Sequence, residues 1–199
     1  MTVSGTSDSP VNLYDKYLQK AIAEINSLGD EIAQVAGGVR VPVLGSGHPL
    51  ADIMLLKHEP QPQEVQEGVA FFGRSGQAVL KSLQRLHVDP MAVYGTNCLK
   101  FAGEDAGEAR PFLVQELHIV GPKLIVVMGE PALAFLNELE FPLSDPLEWT
   151  PGELQRFTPT IAALATPDID ASLDEQPAKT AFWNAFKQLG PWWAELPPY

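Results

Sequence analysis

Side chains able to do chemistry gather at a few places in this chain. His58 and Glu59 set an imidazole, which titrates near neutrality, beside a carboxylate. Asn97 follows Thr96 and carries a carboxamide, a donor and an acceptor in one planar group. The run Thr166-Pro167-Asp168 joins a hydroxyl to a carboxylate. Cys98 is the only cysteine. A lone cysteine excludes an intrachain disulfide, a cysteine-ligated zinc site and an iron–sulfur cluster of the usual kind, and it reads as a small buried hydrophobe. Neither a Gly-x-Gly-x-x-Gly turn nor a Gly-Lys-Ser/Thr phosphate loop occurs, which speaks against a nucleotide-binding regulatory domain.

The elements that must position these groups follow from the apolar pattern. Leu18, Ile22, Ile25, Leu28, Ile32 and Val35 recur every three or four residues and predict a helix ended by Gly37-Gly38. Residues 1–10 read as a frayed or disordered terminus and 11–199 as one domain; residues 39–50 read as a loop. The continuous apolar runs Ile53–Leu56 and Leu124–Met128 predict strands covered on both faces. Ala92–Tyr94, ending near Thr96-Asn97, and Thr160–Ala165 are further strands. Helices are expected over Gly76–Leu86, Pro111–Val120 with its proline in the first turn, Glu130–Leu139 and Pro177–Leu189. Residues 142–159 read as a long surface connection, and Trp192, Trp193 and Tyr199 as a tail packed on the body. Strands alternating with helices imply a three-layer α/β/α sandwich around a four-stranded, mainly parallel sheet. Ligands bind such sheets beyond the carboxyl ends of the strands. Residues 57–73, 96–104, 129–131 and 166–173 are therefore where a site is expected.

Composition bounds the rest. Hydrophobic residues are 45% of 199, enough for a substantial core. No run approaches a membrane span and the first residues lack the pattern of a secretory signal, so a cytoplasmic monomer is expected. Thirteen Lys and Arg against 25 Asp and Glu give a net charge of −12, unfavourable to a phosphate chain.

At the strand ends the sequence resembles the uracil-DNA glycosylases of the iron–sulfur type, family 4. That family's first motif is GE-x-PG, followed by G-x-PF-x-G-x-x-G; Lys57 to Gly76 read KHEPQPQEVQEGVAFFGRSG, with Pro60, Gly68, Phe71, Gly73 and Gly76 at matching positions. A strand ending in TN follows as Thr96-Asn97, and a PK-x-IV-x-x-G strand as Pro122 to Gly129. The HPS loop corresponds to Thr166-Pro167-Asp168 and a closing FW to Phe182-Trp183.

The resemblance implies an enzyme that flips a base from DNA and hydrolyses its N-glycosidic bond. Phe71 would stack on the base, or simply fill the core. Asn97 would read its edge, or cap a turn. Gly68 and Gly73 would shape the pocket. The motif's Glu falls on His58, leaving His58 or Glu59 as the base; a one-residue shift points Glu59 elsewhere. The motif's glycines fall on Lys57 and Gln61. Thr166 replaces the histidine that would stabilise the leaving base, and it supplies a neutral donor in place of a cation. Asp168 replaces the serine and brings negative charge where DNA would lie. Arg74, Lys81, Arg85, Lys100 and Lys123 would have to build the DNA groove. Phe101 stands where the family has a cluster cysteine, so no metal or other cofactor is expected. Two functions follow: excision of uracil or a damaged base from DNA, or a non-catalytic relative binding a nucleobase, nucleotide or protein partner. An open, positive crevice would favour the first, and a plugged or acidic one the second.

Overall fold

A computed structural model describes residues 10–197, with side chains from Leu13 onward. The expected frayed segment lies outside the described residues except for Pro10, the first residue of a helix, and so does Tyr199.

In chain order the elements are α1 (Pro10–Val35), β1 (Ser46–Gly47), β2 (Ile53–Lys57), α2 (Pro62–Glu67), α3 (Arg74–Arg85), β3 (Val93–Asn97), α4 (Ala106–Val120), β4 (Leu124–Met128), α5 (Glu130–Asn137), β5 (Leu154–Arg156), β6 (Ala162–Thr166), α6 (Gln176–Phe186) and α7 (Leu189–Ala194). The described strands make one six-stranded sheet in the order β1-β3-β2-β4-β6-β5. Its centre is the expected set of four parallel strands. Two short antiparallel strands extend it at the edges, β1 on β3 and β5 on β6. Both lie in segments read as loop or connection. Two or three residues carry no measurable alternation, so sequence pattern cannot reveal them.

Successive residues of each central strand face opposite ways. Met54, Leu56, Ile125, Val127, Ala163 and Ala165 pack against α4 and α5. Ile53, Leu55, Val93, Leu124, Val126 and Leu164 pack against α3 and α6. This double cover explains the unbroken apolar runs.

Helix bounds depart from expectation in places. The buried line of α1 is Ala21, Leu28 and Ile32, continued by Ala36 just past its end, whereas Ile22 and Val35 are exposed. The alanines let α1 approach its neighbours, a role an apolar-size pattern misses. α4 starts at Ala106, where Asp105 accepts from the Gly107 amide, so Pro111 lies inside the helix and not in its first turn. Pro111 faces solvent, where water can satisfy the carbonyl left without a donor. The last predicted helix splits in two, and α7 brings Trp192 and Trp193 back against the core, as expected of the tail.

Candidate functional site

At the carboxyl edge of the sheet the register lines up polar groups. Lys57 pairs with Asn97, and Met128 with Thr166. Leu56 pairs with Val127, so the row runs Asn97, Lys57, Met128, Thr166 across four strands on the face covered by α3 and α6. All four are buried. The row holds the three polar side chains at the end of otherwise apolar strands, and Phe71 lies over it.

Lys57 is the central member and is only 1% exposed. Its ammonium donates to Glu64 Oε2 and to Asp170 Oδ2, both at 2.8 Å. It also sits 5.0 Å from the centroid of the Phe71 ring, in cation–π range. Glu64 is fully buried in α2, where it forms the third position of a capping box with Gln61. Its carboxylate accepts from the Gln61 amide at 2.7 Å and from the Phe71 amide at 2.5 Å. Glu64 therefore ties the first motif, the ammonium and the aromatic into one unit. Phe71 takes a left-handed backbone (φ 59°), uncommon for a side chain of this size. Its ring lies so close to β3 that a Cβ at Gly95 would come within 2.6 Å of it. Gly68 ends α2 in the left-handed region and Gly73 caps α3 with φ 101°, so both shape this turn.

Asn97 is 0% exposed, and neither its Oδ1 nor its Nδ2 has a partner among the described residues. Leaving such a group unpaired costs about 1–3 kcal/mol. Thr166 is equally buried and gives its hydroxyl hydrogen to the Pro167 carbonyl at 3.0 Å. Asp168 caps the short 3-10 turn Asp170–Ser172 by accepting from the Asp170 amide. Burial pushes the Asp168 carboxyl above the ordinary range, and the nearby charge of Asp170 adds to the shift. Around this row stand one ammonium and three carboxylates, Glu64, Asp168 and Asp170.

The other expected residues do not converge here. His58 lies on the opposite side of the sheet, its ring edge-on to Phe135 of α5 at 6.4 Å, and Glu59 points to solvent. His58 turns away because one step along an extended chain reverses the side chain, and Glu59 lies past the end of β2, where the chain bends out to solvent. The expected groove of five cations is not assembled. Lys100 is fully buried, paired with Glu116 and donating to Thr96 and the Asn97 carbonyl, so it offers no phosphate contact. Lys123 precedes β4 at the amino end of the sheet, opposite the crevice, and pairs with Asp52. Arg74 is exposed but held by Asp174 at 2.6 Å, and Arg85 stacks on Trp183. Lys57, Glu64 and Asp170 were not singled out from sequence as a site. The usable signal was a lysine closing the apolar run Ile53–Leu56, where burial demands a counter-charge.

An iron–sulfur cluster does not fit this chain. Cluster binding needs several thiolates, and Cys98, the only cysteine, is buried with its thiol pushed upward by desolvation. Phe101 instead fills its position fully buried, packed with Leu28, Ile32, Ala36 and Phe112, and Arg40 covers its ring at 4.5 Å. Among the described residues no group of three or more His, Cys, Asp or Glu could hold a metal ion.

A parallel sheet covered by helices on both faces, with polar residues gathered at its carboxyl edge, defines a three-layer α/β fold. Comparison with known proteins agrees. Residues 44–188 match the family model of the Uracil DNA glycosylase superfamily, and the chain belongs to that superfamily. It is 25% identical over 159 residues to the type-4 uracil-DNA glycosylase of Archaeoglobus fulgidus, covering 74% of this chain and 80% of that one. It is 29% identical over 105 residues to the type-4 enzyme of Pyrobaculum aerophilum, covering 49% of this chain and 54% of that one. The match to the type-4 enzyme of Sulfurisphaera tokodaii is 26% over 103 residues, 47% of either chain.

Proposed function

We propose that this chain is a binding member of the uracil-DNA glycosylase superfamily that does not hydrolyse the N-glycosidic bond of uracil. The observation that carries this reading is Lys57. Its side chain occupies the space beside Asn97 and under Phe71 where a flipped base would have to enter, and two carboxylates hold it there. Moving the ammonium out would leave Glu64 and Asp170 buried without a cation, at about 3–5 kcal/mol. That alone is worth about 10²–10⁴ in rate, on top of the few kcal/mol needed to extrude the base. Thr166 offers no cation to the leaving base, and the carboxylates nearby oppose a developing anion. With a net charge of −12, and with Arg74, Lys100 and Lys123 of the expected cations held in ion pairs, the surface suits a neutral or basic partner better than a phosphate chain.

A second reading, excision of uracil or a damaged base, is favoured by one observation, the unpartnered carboxamide of Asn97. That group matches the hydrogen-bonding edge of a pyrimidine. Base release from uracil-containing single- and double-stranded oligonucleotides at low salt separates the two. The wild-type chain is expected to release none. Release that disappears in Asn97→Ala would overturn the binding reading and establish excision.

A further inference from the structure

We propose that the chain has a second ligand site, for an uncharged aromatic or heteroaromatic molecule, in the cavity that Phe71 borders and that neither Lys57 nor Asn97 lines. This cavity measures about 450 Å³, within the range of small-molecule pockets. It lies between α3 and the β3–β1 edge of the sheet. Leu55, Val79, Leu83 and Val93 line its interior, and Phe71 forms the wall it shares with the Lys57 site. The proposal does not depend on whether the Lys57 site excises a base.

Three features define the ligand. First, no Asp, Glu, Lys, Arg or His lines the cavity, although charged residues are 19% of the chain. A charged ligand would lose its hydration there with nothing to replace it. Second, three glycines of the lining sit where the chain packs too closely for an added side chain. A Cβ at Gly73 would come within 2.2 Å of Gln63 Oε1, at Gly76 within 1.9 Å of the Phe71 carbonyl and at Gly47 within 2.3 Å of the Val93 carbonyl. Two aromatic rings, Phe71 and Phe72, are also among the lining and suit stacking against a flat ring system. Third, the polar lining consists of Ser46, Gln63 and Gln77, and no side-chain hydrogen bond from either glutamine occurs among the described residues. Each carboxamide can donate and accept. The site therefore takes an apolar ring system with one amide-like edge, such as a lactam or a neutral heterocycle.

The test uses the full chain with 2-quinolinone as probe, its carboxylated analogue 2-oxo-quinoline-4-carboxylate as a charged control, and amide NMR shifts as readout. Saturable binding of 2-quinolinone is expected, with shifts at Phe71, Leu80 and Gly95 and none of that set with the carboxylate. Leu80 is half exposed at the cavity mouth, so Leu80→Trp fills space without disturbing the core and should weaken binding about tenfold or more. Gln77→Ala removes one hydrogen bond from an exposed position and should weaken it about threefold. Folding of each variant is checked by the unchanged remainder of its spectrum. Absence of saturable 2-quinolinone binding to wild type, equal binding of the carboxylate, or binding indifferent to Leu80→Trp would each overturn the proposal.

Discussion

An ammonium at the end of a buried strand needs a counter-charge, and Lys57 has two. The prediction at this scale concerns what happens when the cation is removed. Lys57→Met keeps the volume but leaves Glu64, fully buried, and Asp170 without it. Urea unfolding should show a loss of about 3–5 kcal/mol, largely recovered when Glu64→Gln and Asp170→Asn are added, because removing every charge together strands none. A loss that the added substitutions do not recover would mean that the lysine acts by packing alone. Asp168 gives a prediction in pH. Burial raises its carboxyl above the ordinary range, so the folded chain holds that proton more tightly than the unfolded chain does. The stability contributed there is full below the ordinary carboxyl range and is lost as pH rises through the raised folded value. Asp168→Asn keeps the oxygen that caps the following turn and removes the titration. Its stability relative to wild type should therefore improve as pH rises from the ordinary carboxyl range through the raised folded value. A difference that stays flat across that range would contradict the assignment.

Among the elements, the junction of α1 with the loop after β3 replaces chemistry with packing. Phe101 is enclosed by Leu28, Ile32, Ala36 and Phe112, and beside it Glu104 accepts from the Lys100 amide at 2.5 Å. Phe101→Ala should cost about 3–5 kcal/mol in chemical unfolding, as expected of a buried aromatic whose cavity cannot collapse between a helix and a sheet. A cost near zero would mean that α1 docks by other contacts. The legibility of the elements followed their burial. β2 and β4, covered on both faces, announce themselves as apolar runs. β1 and β5 are too short to show a period, and α1 buries alanines that a search for large apolar residues passes over. Pro111 misplaced the start of α4 because proline is favoured early in helices, whereas here Asp105 provides the cap one turn upstream.

For the whole molecule, the balance of charge governs what it can meet. The net charge is −12, Lys100 and Lys57 are buried in ion pairs, and Arg74 is paired at the surface. Fluorescence anisotropy with a uracil-containing duplex should show no saturable binding near physiological salt, at about 0.15 M. Tight binding with a steep salt dependence would mean that the chain gathers a cationic face from residues now engaged elsewhere.

Taken by itself, the sequence determined the layered α/β architecture, the four parallel strands, the superfamily and the position of Asn97 at the end of a strand. These follow from local periodicity and from glycine positions where the backbone turns sharply, properties that neighbouring residues carry among themselves. It placed Thr166 directly after a strand but could not say that the residue shares a row with Asn97, nor which side of the sheet His58 would take. Only the tertiary structure decided that Lys57 turns under Phe71 and that its charge is held by Glu64, seven residues away, and by Asp170, 113 residues away. A pairing across that distance leaves no periodic trace. It exists because three elements bring their ends together at one edge of the sheet, where an unpaired charge has no water to answer it.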